Sequence, residues 1–210
     1  MAGRAIVGLG LGAGVVPLLV ALAPDVGTAR APELPVEDAL AEATVTLLPS
    51  NCAGAVVEDD RHVASVAHCV DGRRVEVELS DGRIVGASVE HEDADKDHVI
   101  LRLDQPARVR PVPIADELPL TGETLYFFGR PERSSPPQAV EVTKMAPCPS
   151  LPGVDAAIFT TLEAVPGDSG SPLLDESGAL AGMVHGGASC QISTPTAGLR
   201  ATLRDLTPEG

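Results

Sequence analysis

Beyond residue 44, apolar residues recur at every second position through most segments of the chain, and this alternation predicts strands. The clearest case is Val75-Glu76-Val77-Glu78-Leu79, followed by Asp81-Gly82 and then by Val85, Ala87 and Val89 at alternate places. Alternation on both sides of an Asp-Gly pair predicts a tight hairpin. Val99, Leu101 and Leu103 repeat the period. Thr124 to Phe128, Ala139 to Lys144, Ala156 to Thr161, Leu180 to Val184 and Ala197 to Leu203 read as further strands. Pro106, Pro111, Pro113 and Pro119 mark a connector with little regular structure. The pattern is all-β in two halves divided near residues 106 to 120, with no convincing amphipathic helix outside the last few residues. The 21 glycines and 19 prolines, spread along the chain, suit short strands joined by turns.

The first residues stand apart from this pattern. Met1 to Arg4 is a short positive start and Ala5 to Ala23 is apolar without charge, with candidate cleavage points after Ala23, Ala29 or Ala31. Residues 1–31 therefore read as an export signal with a small-residue lead. The rival, a retained membrane anchor, is weakened by Gly8, Gly10, Gly12, Gly14 and Pro17. Residues 32–43, with Glu33, Glu37, Asp38 and Glu42, read as an acidic lead-in or short propeptide. Two β domains are expected to follow, at 44–112 and 113–210.

Charge narrows the partners. With 15 basic and 30 acidic residues the formal net charge is −15, which repels nucleic acid and anionic lipid. Aromatics make up 2%, so stacking platforms for bases or sugars are not expected. Once the signal is removed, no membrane association is expected, and a monomer is the simplest state. Cys52, Cys69, Cys148 and Cys190 are an even number, as disulfides in an exported chain would be, and three pairings are open. No pair has the close CxxC spacing of a zinc site.

Three local patterns carry chemistry: Ser65-Val66-Ala67-His68-Cys69, then Asp97-His98-Val99-Ile100-Leu101-Arg102-Leu103, then Pro166-Gly167-Asp168-Ser169-Gly170-Ser171-Pro172. Alone, the histidine reads as an ordinary core or surface residue and the aspartate as a solvated loop. The third is specific by itself. Glycines on both sides of a serine permit a tight turn that exposes the hydroxyl and aims nearby N–H groups outward.

Taken in order, these patterns resemble the trypsin/chymotrypsin superfamily, in particular its short bacterial members. Ser65–Cys69 is similar to the family's TAAHC, Asp97–Leu103 to its D-x-x-(L/I/V)-L-x-L, and Gly167–Pro172 to GDSGGP with Ser171 in the second glycine's place. The order His, Asp, Ser is the family's own. The resemblance runs from about residue 44 to 203. It implies two orthogonal six-stranded antiparallel β-barrels with the active site in the cleft between them, a serine endopeptidase activity on polypeptides, and no cofactor. It also implies that Cys52 pairs with Cys69 around the histidine loop, which leaves Cys148 to pair with Cys190.

On this resemblance His68, Asp97 and Ser169 are the catalytic triad. A serine hydroxyl is a poor nucleophile at neutral pH, so Ser169 needs His68 as base, and Asp97 holds the imidazole in one tautomer. The backbone N–H groups of Gly167 and Ser169 are expected to form the oxyanion hole. The resemblance assigns Asp168 a buried ion pair, with a freed N-terminus near Val26-Gly27-Thr28 or with Arg130 as candidates.

The substrate pocket is expected to be lined by Thr161, Leu162 and Glu163 and by His185, Gly186 and Gly187. Glutamyl endopeptidases of the superfamily place a histidine on this strand, but His185 lies one position beyond theirs, where relatives often carry a serine leaning on the triad aspartate. His185 is therefore expected to support Asp97 or line the rim, beside an open, mainly apolar pocket. The family's C-terminal helix is expected to be mostly absent. No metal is expected. Asp93, Asp95 and Asp97 alternate like a calcium loop, but His98 stands where the required glycine would be. These acidic neighbours are expected to bias His98 and His91 towards protonation. The rival functions are an esterase using the same acyl chemistry and a catalytically silent binding protein on the same fold.

Overall fold

The computed structural model describes residues 35–129, 136–186 and 190–207. The acidic lead-in enters as a short helix, α1 (Val36–Ala43). Glu37 and Asp38 sit in its first turn, where the exposed N–H groups favour negative charge. Leu40 and Ala43 are buried, and the helix touches strands of both halves described below.

Six strands form the first closed barrel: β1 (Thr44–Leu48), β2 (Cys52–Val57), β3 (His62–Ser65), β4 (Arg74–Glu78), β5 (Ile84–Asp93) and β6 (His98–Leu103). Their spatial order is β1-β2-β3-β6-β5-β4, with β4 closing on β1. The expected hairpin joins β4 and β5. Val77 pairs with Val85, and Gly82 takes the left-handed conformation (φ 82°) that the turn requires. The second closed barrel holds β7 (Thr124–Phe127), β8 (Gln138–Ala146), β9 (Ala157–Thr160), β10 (Pro172–Leu174), β11 (Leu180–Gly186) and β12 (Ile192–Pro195). All of these ladders are antiparallel.

The proline-rich connector runs along both barrels. Val112 bridges to Val57 of the first and Ile114 to Leu180 of the second. The cores follow the alternation. Val99, Leu101 and Leu103 fill the first barrel, while Leu125, Phe127, Val140, Val142 and Leu173 fill the second. Leu174, Leu180 and Met183 of the second barrel pack with the first barrel's cluster, so apolar packing joins the two halves.

The C-terminus departs from the expectation. Ala197 to Leu203 is not a strand. After Gly198 (φ 89°) the chain forms helix α2 (Leu199–Leu206), so a C-terminal helix is present. Leu199, Ala201 and Leu203 fit a period of two, but Leu199 and Leu203 are also four apart, and these two are buried while Ala201 is exposed. The helical period wins because one face alone meets the core. Arg200 on the outer side donates to Glu58 Oε1 at 2.9 Å and to Asp116 Oδ2 at 2.7 Å, linking the helix to both β2's end and the connector.

Candidate active site

Each of the three sequence patterns lies at the end or the start of a strand. After β3 the chain makes a single helical turn, Ala67–Cys69, which carries His68. Ser65 pairs with Val99 at the adjoining ends of β3 and β6, so the turn lies beside the residue that precedes β6. That residue is Asp97, held in the left-handed conformation (φ 56°) that aspartate tolerates better than most side chains. Ala67 N–H donates to Asp97 O at 3.2 Å, so backbone hydrogen bonding fixes the pair before the side chains meet. A disulfide from Cys52 to Cys69 ties the histidine turn to the start of β2.

Ser169 lies in the turn that leads into β10. Its carbonyl accepts the N–H of Ala53 at 2.8 Å, and Gly170 N–H donates to Val184 O at 2.7 Å. Ser65 Oγ in turn donates to Ala53 O at 2.6 Å. The serine turn of the second barrel is thus pinned between β2 and β11. Gly167 has φ 95°, and among the described residues no carbonyl accepts the N–H of Gly167 or of Ser169.

The side chains converge on one carboxylate. His68 Nδ1 lies 2.8 Å from Asp97 Oδ2, and the His68 backbone N–H donates to Oδ1 at 2.9 Å. His185 Nδ1 lies 2.5 Å from the same Oδ2. A carboxylate only accepts, so both Nδ1 atoms carry the proton and both Nε2 atoms are free of it in the neutral rings. Burial pushes the Asp97 carboxyl up, but hydrogen bonds from the His185 and His68 rings and the His68 N–H outweigh it, and the group lies well below the usual carboxylate range.

His185 reaches Asp97 because β11 is irregular there. Val184 pairs with Ser193 and Gly186 with Ile192, so two steps on β11 oppose one on β12 and His185 is the extra residue of a β-bulge. A bulge re-aims a side chain that regular alternation would send elsewhere.

A cavity of about 460 Å³ opens beside this cluster, lined by His68, Ser169, Val184, His185 and Gly186 and walled by Ala164, Val165, Pro166 and Gln191. No hydrogen bond joins His68 to Ser169, although both line the cavity. Such contacts are often loose until substrate binds. Thr161, Leu162 and Glu163 are not part of this lining. They border a separate depression with Asp168, Phe127 and Gln138. The reason is local: Thr161 exchanges hydrogen bonds with Glu141 of β8, which holds residues 161 to 163 on that strand's side. Gly187 lies outside the described residues. Gln191 was missed, although its place next to Cys190 is the signal that locates it.

The second disulfide joins Cys148, in the loop between β8 and β9, to Cys190. It packs with Leu151, Val154 and Ile192 and so braces the wall that carries Gln191. Asp168 is buried and its Oδ2 accepts Val165 N–H at 2.8 Å. Its candidate partners Arg130 and Val26-Gly27-Thr28 lie outside the described residues.

One electrostatic expectation is reversed. His98 is not biased towards protonation: burial pushes it down to about 4, against the opposing pull of Asp93 and Asp97. Thr194 Oγ1 donates its one proton to Lys96 O at 2.8 Å, so His98 Nε2, 2.9 Å away, must be the donor to that hydroxyl. Asp93 turns inward on its own loop, accepting Lys96 N–H at 3.0 Å and pairing with Lys96 Nζ at 3.3 Å.

Comparison with known proteins agrees with this architecture. The family described as Trypsin-like peptidase domain matches residues 52–183. The chain is 29% identical over 138 residues to Protease Do-like 1, chloroplastic, of Arabidopsis thaliana, a match covering 62% of this chain. It covers 31% of that protein, so the likeness concerns a minor part of the relative's length. With the matched span taking in His68, Asp97 and Ser169 and most of both barrels, the chain belongs to the trypsin-like peptidase family.

Proposed function

We propose that the chain is an exported serine endopeptidase that cleaves polypeptides through an acyl-enzyme intermediate, with His68, Asp97 and Ser169 as its triad. The observation that carries this reading is the hydrogen bond between His68 Nδ1 and Asp97 Oδ2 at the edge of a cavity that Ser169 also lines. With Nδ1–H donated to the carboxylate, Nε2 takes the Ser169 proton as Oγ attacks the substrate carbonyl carbon. The N–H groups of Gly167 and Ser169 receive the oxyanion. The tetrahedral intermediate collapses as the C–N bond breaks, and His68 passes its proton to the leaving amine. Water, deprotonated by the same Nε2, then releases the acyl group and restores Ser169.

The described walls of the cavity carry no carboxylate, and Ala164, Val165, Pro166 and Val184 make them mainly apolar. An uncharged side chain before the cut is the substrate class this suits. Export is supported by the apolar start of the sequence and by the two disulfides. Among the described residues no helix is long and apolar enough to cross a membrane. The two catalytic domains of this reading are 44–112 and 113–210, monomeric and without nucleic-acid partners.

The test is labelling by an organophosphonate combined with a peptide-library profile. Label on Ser169, cleavage of peptides, and loss of both in Ser169→Ala at unchanged fold are expected. Label on another serine, or full activity in the alanine variant, overturns the reading. Ester turnover without peptide cleavage would replace it with an esterase.

A further inference from the structure

Two histidines and one carboxylate meet at a single point here, and together they form a donor set beyond the needs of a Ser-His-Asp triad. His68 Nδ1, Asp97 Oδ2 and His185 Nδ1 all lie within 4.8 Å of one another. The two Nδ1 atoms address the same oxygen, at 2.8 and 2.5 Å, and the rings stand edge to face with centroids 5.3 Å apart at 85°. Each Nδ1–H points at that oxygen. Moving the two protons elsewhere therefore leaves two lone pairs directed at one place, with a carboxylate oxygen already there.

We propose that His68, Asp97 and His185 bind a divalent transition cation of the zinc type, and that its occupancy switches catalysis off. Two imidazole nitrogens, one carboxylate oxygen and an open fourth position are a donor set that Zn²⁺ takes readily. A tetrahedral site with bonds of about 2.05 Å has ligand atoms about 3.3 Å apart, wider than the present N···O contacts. Some separation is needed, and His68 can supply it. Its side chain is 43% exposed at the cavity edge, whereas those of Asp97 and His185 are 7% and 14% exposed.

The switching step follows from proton bookkeeping. A metal on His68 Nδ1 occupies the lone pair of that nitrogen, so a neutral ring must carry its proton on Nε2, delivered from Nδ1 through water. Nε2–H is then a donor and cannot accept the Ser169 proton. Asp97 Oδ2, engaged by the metal, no longer orients the ring. The metal needs no redox partner and no proton need be lost overall. His185 makes the difference: without the bulge at Val184 to Gly186, His68 and Asp97 would offer two donors, too few for a firm site.

The metal site stands on geometry alone, whereas its inhibitory effect rests on the peptidase reading above, so two measurements separate them. The first uses the full chain carrying Ser169→Ala, titrated with ZnCl₂ by calorimetry in a non-chelating buffer. One bound ion per chain is expected, with no comparable heat from MgCl₂. Adding His185→Ser should weaken binding by at least the roughly 10–100-fold that loss of an outer-shell partner costs. His68→Ala in the same background should do likewise, and since that ring is exposed it serves where the His185 variant fails to fold. Zinc affinity unchanged by both substitutions, or no binding, overturns the proposal. The second measurement uses the chain with Ser169. Zinc should suppress peptide hydrolysis, a chelator should restore it, and His185→Ser should lose this sensitivity relative to its own metal-free rate. Binding without suppression overturns the switch. Zinc bound through His185 by a chain that hydrolyses nothing leaves the metal site standing and removes the peptidase reading.

Discussion

The carbonyl of Ser169 accepts the N–H of Ala53 at 2.8 Å, so the candidate nucleophile of the second barrel hangs directly on the first strand pair of the other. The next residue, Gly170, makes this closeness possible. It has φ 80°, and a Cβ there would overlap Ala53 O and come within 2.6 Å of Ser65 Oγ. Gly170→Ala should therefore lose more than the roughly 1–2 kcal/mol that left-handed backbone costs an L-residue. A denaturant midpoint well below the parent's, with activity lost in step, is the expected result. Parent-like stability would mean that the turn can open away from β2.

Ser171 offers the opposite case. Its hydroxyl is buried and has no hydrogen-bond partner among the described residues. An unpaired buried hydroxyl costs roughly 1–3 kcal/mol, so Ser171→Ala should stabilise the fold by about 1 kcal/mol without changing KM. Chemical denaturation of the two proteins measures this, and a clear loss of stability would reveal a partner for Oγ.

His185→Ala removes a hydrogen bond to Asp97 and leaves the apolar walls of the cavity in place. The expected outcome is a fall in kcat of similar size on matched peptides that differ in the residue before the cut. A selective loss on substrates with glutamate there would assign the ring to the pocket instead.

His98 sets a pH dependence of stability. Its folded value of about 4 lies below the ordinary 6.5, so as pH falls the unfolded chain takes up this proton before the folded one does. The contribution is whole above about pH 6.5 and is lost progressively as pH drops towards 4, amounting to about 3 kcal/mol. In chelator-treated protein, His98→Gln should flatten the fall in unfolding free energy over that window. Equal slopes in the two proteins would show that His98 is not held neutral.

The disulfides close loops of different size, with sequence separations of 17 and 42. Serine pairs in place of Cys52–Cys69 and of Cys148–Cys190 should cost about 3 and about 4 kcal/mol by loop entropy. The second should also raise KM, because Cys190 precedes the wall residue Gln191. An unchanged KM would show that the wall is held without the bridge.

Most of this protein's scaffold was legible because the physics behind it is local. Alternation in Val75 to Val89 specifies which face of each strand is buried, and Asp81-Gly82 specifies the turn, without reference to any distant residue. The family was legible for a different reason: His68, Asp97 and Ser169 each sit in a short motif, and the order of the motifs along the chain distinguishes it. Alternation failed where two periods coincide, as at Leu199 and Leu203, and only the position of the core selected the helix. Which cavity Thr161 borders was not legible, because hydrogen bonds to Glu141 hold it beside β8 and pairing partners are not encoded in the segment itself. His98 beside Asp93 and Asp97 reads as a charged histidine until burial, which belongs to the whole fold, makes its protonation costly.

By itself, then, the sequence determined an all-β chain in two halves, the three ordered motifs whose family resemblance implies two barrels, and four cysteines in even number. The tertiary structure decided where His185 points. A strand's alternation holds only while pairing stays regular, and the bulge between Val184 and Gly186 depends on how β12 meets β11, residues apart in sequence and joined across a ladder. That one displaced residue turns a side chain towards Asp97 and brings a second imidazole to the carboxylate.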